Sequence, residues 1–288
     1  MSSIESNRRH GALHLIGRMA LAATALVGSL AHADPRWPIA QRFNIGLGAF
    51  FLGTDTTVRV DGAVSTGRVI GTTFNFDDEF GFKDQNRLRV DGYWRFAERH
   101  KLRFMYFSSH SDETRNIDQT IEFRARTFPI NAAVRGEFES EVVELAYEYA
   151  FLRRDSWELA ATLGLHNLEL KAGLSAQLSS TLVSGAIDQA AEATANGPLP
   201  VVGLHGLWAF GDHWYLDAQA QYFSVDFDEY DGSLRDYKLG IVWMPLRNIG
   251  VGVAYNDFRM HVNVDADRFQ GNVHYTYSGP IGFVTVAF

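Results

Sequence analysis

Residues 142–166 read VVELAYEYAFLRRDSWELAATLGLH. Before the turn, Val143, Leu145, Tyr147, Tyr149 and Phe151 alternate with Val142, Glu144, Ala146, Glu148 and Ala150. After Arg153-Arg154-Asp155, Trp157, Leu159, Ala161, Leu163 and Leu165 alternate with Glu158, Thr162, Gly164 and His166. Period two on both sides of a tight turn predicts a β-hairpin with one apolar and one polar face. A helix would line up Glu144 and Glu148 but turn the tyrosines between them to solvent.

The same unit recurs in RLRVDGYWRF-AERH-KLRFMYF, in VVGLHGLWAF-GDH-WYLDAQAQYF and in YKLGIVW-MPLRN-IGVGVAY. Each carries an apolar face such as Leu88, Val90, Trp94 and Phe96, or Tyr237, Leu239, Ile241 and Trp243. Four hairpins, with a lone strand before them (RFNIGLGAFFL) and one after (NVHYTYSGPIGFVTVAF), predict ten strands. Gly279-Pro280 predicts a bulge in the last of them. Short turns alternate with longer polar connections over 60–86, 109–134, 178–199, 228–234 and 263–270. Residues 56–75 leave room for a further hairpin, so eight or twelve strands stay open.

The tryptophans test this layout. Trp37 precedes the first strand, and Trp94, Trp157, Trp208, Trp214 and Trp243 sit within a few residues of a short turn. All six then fall at one end, as a membrane-interface girdle requires. A water-soluble barrel would turn its apolar face inward and give no reason for that clustering. In lipid the apolar face turns outward, the polar face lines the lumen, and closure satisfies the backbone. The slightly negative mean hydropathy fits, because two-faced strands average to nothing.

The first 33 residues read as a cleaved secretory signal: Arg8, Arg9 and Arg18, an apolar run from Met19 to Leu30, then Ala31-His32-Ala33. That run is too short to span a bilayer, which takes about 20 residues. Domains of 1–33 (signal peptide) and 34–288 (barrel) follow. The full chain carries 26 basic and 34 acidic residues. Without the leader's three arginines and Glu5 the balance is 23 to 33, a net of −10. Such an acidic chain with no basic stripe is a poor partner for nucleic acid. There is no cysteine, hence no disulfide, thiolate metal site or acylation site.

These features together resemble the outer-membrane β-barrel proteins of Gram-negative bacteria, as a generic member of the class. The resemblance implies outer-membrane localisation, contact with lipid and lipopolysaccharide, and delivery by the barrel-insertion machinery. It also implies that Phe288 serves as the insertion signal read on the last strand. It carries over no catalytic or ligand site.

Candidate chemistry lies on the polar faces. Arg89, Asp91, Arg95, Lys101 and Arg103 fall on strands two and three, Glu144 and Glu148 on four, Glu158 and His166 on five, and His205 on six. They read as a charged lumen, either a solute-selecting constriction or a salt-bridged plug. SSHSD supplies Ser108, Ser109, His110 and Asp112, but neighbours on a strand face opposite ways and Ser109 does not meet His110. Some ten-stranded barrels of this class are proteases that use an acidic pair with a His-Asp couple. Asp77-Asp78-Glu79 and Asp226/Asp228 are acidic, but no couple accompanies them, so no catalytic residue is assigned. His166 and His205 fall at different depths and do not share a metal; no metal or cofactor is expected. Asp226–Gly232 lacks the order of a calcium loop, and it and Asp265/Asp267 read as solvated loop tips. Three roles stay open: a non-enzymatic structural barrel or narrow pore, a surface-binding protein acting through acidic loops on unidentified ligands, and an outer-membrane hydrolase.

Overall fold

The computed structural model describes residues 39–64, 67–82, 85–180, 185–227, 230–266 and 269–288. Residues 1–33, Trp37, Asp228 and Asp267 lie outside the described residues. Ten strands form one antiparallel sheet: β1 (Phe43–Val60), β2 (Gln85–Ala97), β3 (His100–Asn116), β4 (Ala133–Arg153), β5 (Trp157–Ser180), β6 (Gly185–Phe210), β7 (Trp214–Phe227), β8 (Tyr230–Trp243), β9 (Ile249–Ala266) and β10 (Phe269–Ala287). Each pairs with the next, and β10 returns to β1, from Asn44↔Ala287 to Val60↔Gly271. The barrel is closed and all-β, with ten strands rather than eight or twelve.

Among the described residues, 56–75 add no hairpin to the wall. β1 runs on to Val60, Gly62–Val64 pairs with Gly67–Val69 as a separate ribbon, and Phe74–Asn75 pairs with Val58 and Thr57. A one-turn helix, α1 (Phe76–Phe80), follows. Asn75 caps it by accepting the Asp78 N–H at 3.0 Å, and Gly81 ends it at φ 61°. A second ribbon pairs Ile121–Phe123 with Arg126–Phe128.

Two sequence expectations are corrected. The long connections are mostly strand: β3 and β4 pair up to Asn116↔Ala133, and β5 and β6 up to Ser180↔Gly185. Within 179–198, residues 179–180 and 185–198 are therefore ribbon rather than loop. The expected bulge at Gly279-Pro280 is also absent, since register to β1 is the same at Phe50↔Ile281 and Gly53↔Ser278. The glycine instead allows a close approach, because a Cβ there would strike the Phe51 carbonyl oxygen. Register shifts occur at Arg95/Ala97 and Leu159/Ala160.

The strands are long because they do two jobs. On β4 the outward residues from Phe151 back to Val143 are apolar and exposed, about nine residues, enough for a tilted strand to cross a bilayer. Beyond them Glu141, Glu139, Glu137 and Arg135 turn outward while Val142, Phe138 and Val134 turn inward and are buried. β5 inverts at the same level: Leu165 out and His166 in give way to Asn167 out and Leu168 in. On β9 the inversion falls between Tyr255/Asn256 and Asp257/Phe258. Across the inversion the alternation does not slip. Only its polarity changes sign where lipid outside gives way to water.

Above that level the barrel has an apolar core. Phe74, Phe76 and Phe80 from the β1–β2 connection, with Ile117, Ile121, Phe123 and Phe128 from the β3–β4 connection, pack with Phe107, Phe138, Leu168 and Leu174 of the wall. These connections fold in as a cork. Phe80 lies against Gly136 of β4, where a Cβ would strike its ring. β6 pairs with β7 only over Val202–Phe210 and so leaves an edge above. Pro198 and Pro200 withhold donors there, and Arg124 Nη1 donates to the Glu192 carbonyl at 2.5 Å.

Strands also approach closely at Gly92 of β2, where a Cβ would meet the Asn44 carbonyl oxygen of β1 and the Phe104 ring. Gly92→Val is expected to lower stability by about 1–3 kcal/mol, read as an earlier unfolding midpoint in denaturant. A midpoint equal to the parent's would show that the ladder has slack at this point.

Candidate functional site

The candidate site is the lumen at membrane level. Its residues meet across the barrel: Arg89 on β2 reaches Asn256 on β9 at 2.6 Å, and Arg103 on β3 reaches Gln219 on β7. Non-neighbouring strands can touch only through the interior, so the polar faces of the hairpins point inward.

Nearest the short turns, Arg95 clamps Glu158 with two hydrogen bonds of 2.8 and 3.2 Å. Lys101 Nζ stands 2.8 Å from both Glu158 and Glu148. Glu148 is wholly buried. It also accepts from Arg103 Nη1 at 3.0 Å and meets His205 Nδ1 at 3.1 Å. The other His205 nitrogen meets Asp217 at 3.1 Å, and Lys238 bridges Asp217 and Asp91 at 3.3 Å each. Five cations (Arg95, Lys101, Arg103, Arg153 and Lys238) therefore face four carboxylates (Asp91, Glu148, Glu158 and Asp217), and Arg89 Nε stands 3.9 Å from Asp91. Buried charges persist only when paired in this way. The cavity left among Asp91, Tyr93, Arg103, Tyr215 and Lys238 has about 30 Å³, on the order of a single water.

One layer further in, Glu144, His166, Gln221, Asp236 and Asn256 form a second group. Gln221 Nε2 donates to Glu144 at 2.7 Å while its carbonyl meets His166 Nε2 at 2.7 Å. Asn256 donates to Asp236 at 2.5 Å. Aromatic rings then close the lumen: Phe258 stacks on Tyr277 at 4.4 Å, with Phe50 and Phe107 edge-on to Tyr277.

The other candidates are scattered. His166 and His205 belong to separate layers. Ser109 faces inward and accepts from Arg87 Nε at 3.1 Å, whereas His110 faces outward between Glu139 (3.1 Å) and Asp112 (3.3 Å). Asp77 accepts from Thr54 at 2.5 Å, and burial under the cork pushes its carboxyl above the usual range. For Asp226 and Asp265 the described feature is pairing, with Asp231 and Gln270. Among the tryptophans, Trp94, Trp157, Trp208, Trp214 and Trp243 are exposed on the outer wall beside the short turns. Trp214 stacks on Trp243 at 6.2 Å and Trp94 on Phe43 at 6.1 Å.

Sequence reasoning missed Asp217, Gln219, Gln221, Asp236 and Asn256. All lie on the same alternation as assigned residues, but on β7 to β9 the inward face is interleaved with alanine, glycine and tyrosine, which dilutes the signal.

No protein-family model matches the sequence, and no curated protein sequence aligns with it significantly. Among solved structures the fold is similar to that of the outer membrane protease OmpT from Escherichia coli. The TM-score is 0.51 at 12% identity, over 86% of this chain and 97% of that one. The fold is that of the outer-membrane β-barrels. Weaker likenesses are to the toluene transporter TodX of P. putida (TM-score 0.32, 10% identity, 89% and 93% of the two chains). The attachment invasion locus protein Ail of Yersinia pestis follows at 0.31 and 11%, covering 85% and 98%. At these identities the likeness is one of fold.

Proposed function

We propose that this chain is a non-enzymatic outer-membrane barrel with a sealed lumen, structural in role and non-conducting. The observation that carries the reading is the double filling of the lumen. A paired ion network at membrane level is backed by an aromatic cork above it. Either alone would oppose ion passage, since an ion would have to break compensated pairs or enter an apolar core. Ser109 faces inward and His110 outward, so this strand assembles no nucleophile–base pair, which favours a non-catalytic role. In this reading residues 1–33 are removed on export, and the barrel-insertion machinery places 34–288 in the membrane.

Single-channel recording of the refolded barrel in a planar bilayer is the test. A silent bilayer is expected from protein shown by circular dichroism to be folded. Steady, salt-dependent openings would overturn the sealed-lumen reading and give the charges a role in selecting solutes.

A second reading, surface binding, rests on the wall above the membrane, where Glu137, Glu139 and Glu141 face outward on β4. Shortening the β5–β6 ribbon by removing residues 173–192 is the variant that tests it. Cell binding lost while the barrel persists would favour this role; binding unchanged would remove it.

A further inference from the structure

We propose that Glu144, His166 and Asp236 form a binding site for a divalent transition-metal ion of the zinc type inside the barrel. β4, β5 and β8 bring one ligand atom of each residue within 4.8 Å of the others. All three side chains are buried, with His166 at 0% exposure. One imidazole nitrogen with two carboxylate oxygens suits zinc and its neighbours, whereas magnesium and calcium take oxygen alone.

Two further observations point to a missing ligand. First, Gln221 donates its amide to Glu144, so its carbonyl takes the proton of His166 Nε2. Nδ1 is then a bare lone pair, buried and without a hydrogen-bond partner. Second, the Tyr277 hydroxyl is also buried without a hydrogen bond, within the field of Asp236 and Glu144. Native interiors leave few such atoms.

Gln221 and Asn256 supply the outer partners that a metal site needs, each holding a carboxylate by a hydrogen bond. The cork and the ion network close both approaches. An ion taken up as the barrel closes should therefore resist chelators.

The test uses the full barrel refolded with zinc chloride, treated with EDTA, desalted and analysed for metal. About one zinc per barrel is expected in the parent and in His110→Ala, which removes the exposed histidine beside Glu137 and Glu139. Less than about a tenth of that is expected in His166→Asn and Asp236→Asn. A parent that retains no zinc overturns the proposal, and so does a folded His166→Asn barrel that retains as much as the parent. Should both variants fail to fold, X-ray absorption of the parent decides: a first shell with one imidazole supports the site, and one with none or several overturns it.

Discussion

Glu148→Ala is expected to destabilise the barrel by about 3–5 kcal/mol, the range for breaking a buried ion pair from one side. Glu148 has three buried partners in the lumen, touching Lys101 at 2.8 Å, Arg103 at 3.0 Å and His205 at 3.1 Å. Removing it leaves those groups in a space with little water to solvate them. Part of the loss is made good, because Lys101 keeps Glu158 and His205 keeps Asp217. The size of the loss is read from denaturant unfolding in detergent. The pair Lys101→Met with Glu148→Leu is the informative companion. Because it removes both charges, it should cost less than the sum of the single changes. A loss below about 1 kcal/mol for Glu148→Ala would mean that water reaches the network freely, and the sealed lumen would go with it.

Phe80→Ala is expected to weaken the cork by about 3–5 kcal/mol, the usual cost of emptying a buried phenylalanine site. Phe80 ends α1, is fully buried, and joins Phe76 and Phe82 at ring distances of 5.5 and 6.0 Å. The loss should stay local, since the β1–β10 ladder does not run through α1. Protease cleavage within residues 61–82 should rise by more than about 100-fold, as the open fraction follows the lost free energy. The β-sheet spectrum should not change. Gly136→Val attacks the same contact from the wall and should reproduce the effect. Cleavage at the parent's rate in both variants would show that the connections are held by something other than this contact. The ion network remains in either variant, so a cork-loosened barrel is expected to stay silent in a bilayer.

The hairpins were legible because lipid enforces a strict code. From Val143 to Phe151 each outward residue is apolar and each inward one is charged or small, so the period alone identifies strand, face and turn. The upper halves of the strands were not legible as strand. There water is outside and the cork inside, so the face that was polar becomes apolar. A reader following one face sees Leu163 and Leu165 give way to Asn167, Glu169 and Lys171 and concludes that the strand has ended. Following the other face, His166 then Leu168, Leu170, Ala172 and Leu174, shows that it has not. The inversion lies in the sequence, but recognising it requires knowing that something apolar fills the upper barrel. That filling comes from Phe74, Phe76, Phe80, Ile121, Phe123 and Phe128, residues of connections with no period to reveal their direction.

By itself the sequence determined the class of fold, the end carrying the tryptophans and the inward set on β2 to β5, and it favoured ten wall strands with eight or twelve left open. All of these follow from local alternation and from the geometry of short turns. Tertiary structure alone decided which charges meet. Arg89 and Asn256 are 167 residues apart, and Arg103 and Gln219 are 116 apart. Their contact depends on barrel closure and shear, which no local pattern encodes. The same closure brings Glu144, His166 and Asp236 together from three strands. Only closure turns a list of inward-facing residues into a lumen that is filled.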